Sequence, residues 1–440
     1  MVFNKLHDNE RSKHSMQNQI KKDDSLTLRE NLYEEAKSLF SEGLVEHLKA
    51  RGLDVIEGQS DGIHINDING ARYIDCYCAA SSYNLGRKNK AVLDSLKSAV
   101  QATDCGNFIL VSQEKADLSS KLADFIGDDL SCVLFTVVRG EAMDAACKLA
   151  RGYTGKTELI SVDGGWYGHT GFAMGLSERA DKNRYGRLIP DQTTVEFNNI
   201  KDAKKAINKN TAAFILEPVQ MENGCRMADK TYLMELKVLC KQHGALLIFD
   251  ETQTGFGRTG HKFAKDYYGV TPDILLFGEA VTAGVFPMTG MVFTPAVKSF
   301  FDHHPLIHLC TFGGHDVGCR VACQAIDIYE NLRPWLQTRE TGPLLLNHLL
   351  HIQSLYPDLI LSIQGLGLMN AVTFTREELA QSFCVAARNH GFIVVQGLVS
   401  KKSVVMRPPL IITREDVNKL MELISSAMIS VDNQGHESKK

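Results

Sequence analysis

The stretch Leu246-Leu247-Ile248-Phe249-Asp250-Glu251-Thr252-Gln253-Thr254-Gly255-Phe256-Gly257-Arg258-Thr259-Gly260 constrains this chain most. Apolar residues run into a carboxylate pair and then into a glycine-rich polar loop. A short apolar run bounded by turn residues suits a strand buried on both faces, as in a parallel sheet. Asp250 then falls at the strand's carboxyl end, the edge where open α/β sheets place their ligands. A carboxylate buried there needs a cationic partner. The loop also contains Gly255-Phe256-Gly257-Arg258-Thr259-Gly260, a literal G-x-G-x-x-G. Polar residues separate it from the strand and no apolar-periodic helix opens at Gly260, so a dinucleotide site is set aside.

Short apolar runs alternate with helical segments beyond about residue 131: 132–138, 158–162, 212–217, 245–250, 273–277 and 289–294. This alternation predicts a mostly parallel sheet with helices on both faces. Residues 62–75 alternate polar and apolar about Asn69-Gly70, a hairpin signal. Helical periodicity marks 26–52, 90–102, 114–126 and 317–332. The C-terminal part mixes strands (359–363, 369–374, 404–407) with helices (375–390, 414–430). The 440 residues suit a large domain with a smaller one. The expected division is a flexible tail over 1–25, a helix and hairpin over 26–75, a large domain over 76–332, a small domain over 333–431 and a tail over 432–440.

The formal net charge of -4 gives no reason to expect nucleic acid or an anionic membrane surface. No apolar run approaches a membrane span, and the first residues lack the apolar core of a secretory signal. Eleven cysteines without a paired CxxC framework suit reduced thiols and a cytoplasmic protein. Cys76 with Cys78 and Cys319 with Cys323 stand close in sequence. Neither pair has partners at zinc spacing, so they are expected to pack, and no metal site is expected.

Several motifs together resemble the class-III (subgroup II) aminotransferases. The opening stretch is similar to that family's LLIxDEVQTGxGRTG. The resemblance covers about residues 40 to 425 and implies an α/β fold of the PLP-dependent (pyridoxal 5′-phosphate) transferase type I kind. In it the strand-end Asp pairs with the pyridine nitrogen and the Gln contacts the ring hydroxyl, roles that fall on Asp250 and Gln253. A carboxylate there keeps the pyridinium protonated and therefore electron-withdrawing. The segment 138–151 resembles SGSEANEAAxKxAR, whose opening turn gives backbone N–H groups to the cofactor phosphate, as helix N-termini suit anions. Here Ser-Gly-Ser has become Val138-Arg139-Gly140. Arg139 either adds a charge-assisted bond to a phosphate, fills the space a phosphate would take, or lies exposed on the loop. Trp166 stands at the family's ring-stacking aromatic position. Glu217 stands at that of a Glu near the ring's polar groups. Thr311 matches a Thr that reaches the partner subunit's phosphate, which implies a homodimer with shared sites. Near the family's RxxPPLxIT, the clamp position is Val405 and Arg407 lies two residues on, so Arg407 is a candidate displaced clamp for a substrate carboxylate.

One departure dominates. The family's PLP-bearing lysine lies in PDIxxxGKxxGGGxP, and its position here is Glu279. A carboxylate forms no covalent link to the aldehyde, although it accepts a proton. Three readings follow. In the first, which retention of Asp250, Gln253, Glu217, Trp166 and Thr311 favours, the chain holds PLP or pyridoxamine 5′-phosphate noncovalently and acts on a small amino or keto substrate with Glu279 as base. In the second, it is a dimeric binding or regulatory homologue without turnover. In the third, Arg139 holds a different phosphorylated ligand in the old pocket. Ordinary transaminase activity is not expected in any of them. A further expectation is that Arg139 and Glu279, one gained cation and one gained anion, compensate each other.

Overall fold

The computed structural model describes residues 28–437 except Phe108 and Ala180; the expected N-terminal tail over 1–25 lies outside the described residues. The described residues open on helix that includes a π-type turn, Lys37–Ser41, and continues as Glu42–Lys49. The hairpin is present as β1 (His64–Asn66) and β2 (Arg72–Asp75). It does not stand apart as a segment of the N-terminus. β2 pairs in parallel with β14 (Phe392–Ile393), and Ile63, Ile74 and Cys76 pack into the hydrophobic core of the C-terminal part.

The large sheet has seven strands: β3 (Cys132–Thr136), β4 (Glu158–Val162), β5 (Gln192–Val195), β6 (Thr211–Leu216), β9 (Leu246–Asp250), β10 (Ile274–Phe277) and β11 (Thr289–Phe293). Their spatial order is β3-β11-β10-β9-β6-β4-β5. All run parallel except β11, which is antiparallel to both neighbours. β6 and β9 are buried along their whole length, as their unbroken apolar runs require. Strand alternation divides them between two cores. Ile215 and Ile248 face the helix Arg139–Thr154, whereas Phe214, Leu216, Leu247 and Phe249 face the side covered by Lys230–His243.

Between β6 and β9 a short ribbon, β7 (Val219–Gln220) with β8 (Arg226–Met227), leans toward the C-terminal sheet. That sheet runs β12-β13-β16-β15, from β12 (Ile360–Leu366), β13 (Met369–Phe374), β16 (Ser403–Met406) and β15 (Val395–Gln396). Three features differ from the pattern read in the sequence. β5 was not anticipated, because Gln192-Thr193-Thr194-Val195 is too polar to register as an apolar run. Helix Pro334–Leu355 carries an internal Pro343, which masks its periodicity. The last helix runs from Arg414 to Glu437, through most of the stretch read as a tail.

The glycine-rich loop after β9 is held by packing. Phe256 is fully buried, stacks on Phe125 at 5.6 Å between ring centroids and meets Phe263 and Tyr329. Arg258, also buried, donates to the carbonyl oxygens of Leu368 and Pro408 and to the Asn84 side chain, tying the loop to the C-terminal part. Phe256→Ala should therefore cost about 3–5 kcal/mol by emptying an aromatic cluster. Equilibrium denaturation would measure it, and an unchanged midpoint would show that the cluster does not support the loop.

Candidate functional site

Because β3, β6, β9 and β10 point the same way, the residues just past their carboxyl ends meet at one edge of the sheet. Arg139 follows β3, Glu217 follows β6, Asp250 ends β9 and Glu279 follows β10. Trp166 arrives on the loop after β4. Gly278 lets β10 end close against the neighbouring loop, since a Cβ there would lie 2.4 Å from the Thr252 carbonyl oxygen.

Arg139 is turned into the sheet edge. Its Nε donates to Asp250 Oδ2 at 2.9 Å and its NH2 group to Glu217 Oε1 at 2.6 Å. Asp250 and Glu217 are buried, with 0% and 3% exposure, and Arg139 is partly buried, with 13%. The remaining oxygens are also engaged. Asp250 Oδ1 accepts from the Thr252 backbone N–H at 3.0 Å and its hydroxyl at 2.6 Å, and Glu217 Oε2 accepts from the Trp166 N–H at 2.8 Å. Arg139 and Glu279, expected to compensate each other, form no direct bond; Arg139 bonds Asp250 and Glu217.

One guanidinium faces two carboxylates, and the charges do not balance unless one carboxylate takes a proton. Burial, with help from the Asp250 charge and against the pull of Arg139, lifts Glu217 to about 7. Glu217 therefore takes up and releases its proton near neutrality. Burial also raises Glu279, with Arg139 opposing and Asp250 adding to the rise. The Asp250 and Glu217 carboxylates hold Arg139 firmly charged against its burial.

A second buried pair closes the neighbouring side. Arg407 donates from NH1 to Glu222 Oε1 at 2.8 Å and to Gln253 Oε1, while Gln253 Nε2 donates to Glu222 Oε1 at 3.3 Å. Glu222 also accepts from the Leu398 N–H at 3.0 Å. Burial alone would raise Glu222; Arg407 and these hydrogen bonds outweigh it and hold the carboxyl below its ordinary range. Glu222 was not singled out from the sequence. It sits in an irregular turn, where nothing in the spacing marks a buried anion; Arg407, an arginine entering a buried strand end, was the available signal.

Between these pairs lies a cavity of about 260 Å³, whose lining includes Ala80, Arg139, Trp166, Gln253 and Glu279. Trp166 is half-buried, with the Arg179 guanidinium 5.3 Å over its ring and His169 against its edge. Gly140 is packed so tightly that a Cβ would lie 2.7 Å from Thr170 Oγ1, so no serine fits at that turn without displacing Thr170. Thr311 is exposed and lies outside this lining. Among the described residues no group of His, Cys, Asp or Glu could hold a metal ion. All eleven cysteines are free thiols, and no helix among the described residues is long and apolar enough to cross a membrane.

The model of the aminotransferase class-III family matches residues 49–428. A putrescine aminotransferase of Pectobacterium atrosepticum is 31% identical over 417 residues, 91% of this chain and 89% of that protein. An uncharacterized aminotransferase of Archaeoglobus fulgidus is 30% identical over 377 residues, 86% of this chain and 89% of its own. Among solved structures, a transaminase from the marine bacterium Virgibacillus superposes with a TM-score of 0.85 at 26% identity, covering 92% of this chain and 99% of that one.

The proton on Glu217 makes a pH prediction. Its carboxyl is raised on folding to about 7, above the ordinary value of about 4.3 for an unfolded Glu. The proton's stabilisation is then complete below the unfolded value and is lost as pH rises through about 7. Glu217→Gln keeps an acceptor for Arg139 and removes the titration. The variant should lose that decline, worth up to about 3 kcal/mol, when denaturation midpoints are compared between acidic and alkaline buffer. Parallel pH profiles for the two proteins would show that Glu217 is ionised throughout.

Proposed function

The chain belongs to the class-III aminotransferases, and we propose that within this family it is a dimeric binding homologue without transaminase turnover, its cofactor pocket closed by its own arginine. The observation that carries the reading is the Arg139 guanidinium shared between Asp250 and Glu217. In the family pattern the Asp meets the cationic ring nitrogen of PLP. Here a side-chain cation already meets that carboxylate.

The other groups expected to hold the cofactor are engaged or replaced in the same way. Gln253 is clamped between Arg407 and Glu222. Position 279 offers a carboxyl in place of an amine. Packing at Gly140 excludes the missing serine of the phosphate-binding turn. PLP does not fit the side chains as they stand, so no catalytic step is assigned to it. Noncovalent PLP or pyridoxamine 5′-phosphate with Glu279 as base would require Arg139 to leave both carboxylates. Removing one partner of a buried ion pair costs about 3–5 kcal/mol, which cofactor contacts would have to offset. In the third reading a phosphate would have to share Arg139 with the two carboxylates it already bonds. Exposed Thr311 is compatible with a loop that serves a partner subunit.

Reversal of the two substitutions tests this reading. After incubation with PLP and removal of the unbound cofactor by gel filtration, the native protein and Glu279→Lys should both emerge without cofactor absorbance. The double variant Glu279→Lys with Arg139→Gly should take up PLP on the new lysine, seen as visible absorbance and as a mass increment after borohydride reduction. Stoichiometric uptake by the native protein, or by Glu279→Lys alone, would overturn the role given to Arg139.

A further inference from the structure

One wall of the closed pocket is made by Ala79, Ala80 and Ser82. Its backbone is unusual. Cys78, Ala79, Ala80 and Ser81 all have positive φ, at 50°, 42°, 56° and 78°. The ψ angles of Ala79 and Ala80, 54° and 41°, make this a left-handed helical turn. Tyr77 before it and Ser82 after it are right-handed, so the sense of the chain reverses twice. None of the four residues is glycine. In an L-residue this conformation crowds Cβ against the following carbonyl oxygen, and non-glycine residues adopt it singly rather than in a run. Strain of this kind persists only where the surroundings enforce it.

The enforcement acts on one end of the turn. Asp75 Oδ1 accepts from the N–H groups of Tyr77 at 3.0 Å and Cys78 at 2.6 Å, and Asp75 Oδ2 accepts from Arg87 Nε at 2.7 Å. Arg407 Nε donates to the Tyr77 carbonyl oxygen at 3.3 Å, and an Arg258 nitrogen meets Cys78 Sγ at 3.5 Å. Among the described residues, Ala79, Ala80 and Ser81 bond only within the turn. The Ala80 N–H reaches the Tyr77 carbonyl oxygen at 3.2 Å, and the Ser82 N–H and hydroxyl reach that of Ala79 at 3.1 and 2.7 Å. The buried Ser81 hydroxyl has no protein partner. Past the turn, the Tyr83 ring closes against Gly284, where a Cβ would lie 2.7 Å from it. We infer that Cys78–Ser81 is a spring-loaded wall of the pocket, which relaxes out of the left-handed sense as a local event while the sheet and helices stay folded. The width of the cavity then depends on the state of this turn. The inference relies on neither Arg139 nor Glu279 and is independent of whether the pocket accepts PLP.

Cys78 reports on this motion, because its free thiol is fully buried within the turn. Cys147, equally buried in the middle of helix Arg139–Thr154, reports on global unfolding. In the native protein N-ethylmaleimide should label Cys78 about tenfold faster than Cys147, or more, since local openings are more frequent than global ones. Peptide mass spectrometry follows both rates. The double variant Ala79→Gly with Ala80→Gly removes the Cβ groups that oppose the turn, and this outweighs the extra freedom that glycine gives the opened chain. It should label Cys78 roughly tenfold more slowly than the native protein and should unfold at a higher denaturant concentration. Labelling of Cys78 no faster than Cys147 would show that the wall opens only with the whole fold, and would overturn the inference. A glycine variant that labels Cys78 as fast as the native protein, unfolds more readily or fails to fold would overturn it as well, since the turn would then hold no strain to release.

Discussion

The site is organised by the need to neutralise carboxylates buried at the end of a parallel sheet. Asp250 is there because β9 ends there, and its place between β6 and β10 removes it from water. An unpaired ion at such a position is untenable, so some cation must meet it. In a PLP enzyme the ligand supplies that cation. In this chain Arg139 supplies it, and the pocket is electrostatically complete with protein alone. The Arg407–Glu222 pair has the same character on the neighbouring side.

The architecture was legible in the sequence because it rests on local patterns. Unbroken apolar runs located six of the seven large-sheet strands, whose spatial order was not read from the sequence. The strand that escaped, β5, lies at the sheet edge and contains two threonines and a glutamine. The nearness of several candidate residues was legible too, since Arg139, Trp166, Gln253 and Glu279 border one cavity, with Asp250 and Glu217 bound to Arg139; Thr311 is not among them.

The pairing inside the site was not legible. Sequence reading matched one gained cation with one gained anion, Arg139 with Glu279. In the sheet, β10 is nearer to β3 than β9 is, so proximity by strand order also favours Glu279. With neighbouring strands about 4.8 Å apart, Asp250 lies three spacings from β3. The helix that follows β3 packs across β11, β10, β9 and β6, and this carries Arg139 to the two carboxylates it bonds. Which partner wins depends on depth: Asp250 is fully buried and Glu279 half-buried, so the deeper carboxylate gains most from the cation.

That preference also gives Glu279 a physical role it does not need a proton-transfer cycle to explain. A lysine at 279 beside a charged Arg139 would put two cations at the mouth of one pocket, where desolvation and mutual repulsion both penalise the ammonium. A carboxyl there relieves the repulsion. Burial raises its pKa, which lowers the cost of placing a further carboxyl beside Asp250. The gained arginine makes the lysine costly, and the lost lysine leaves the arginine unopposed. Each substitution removes the physical objection to the other, even though their side chains do not bond.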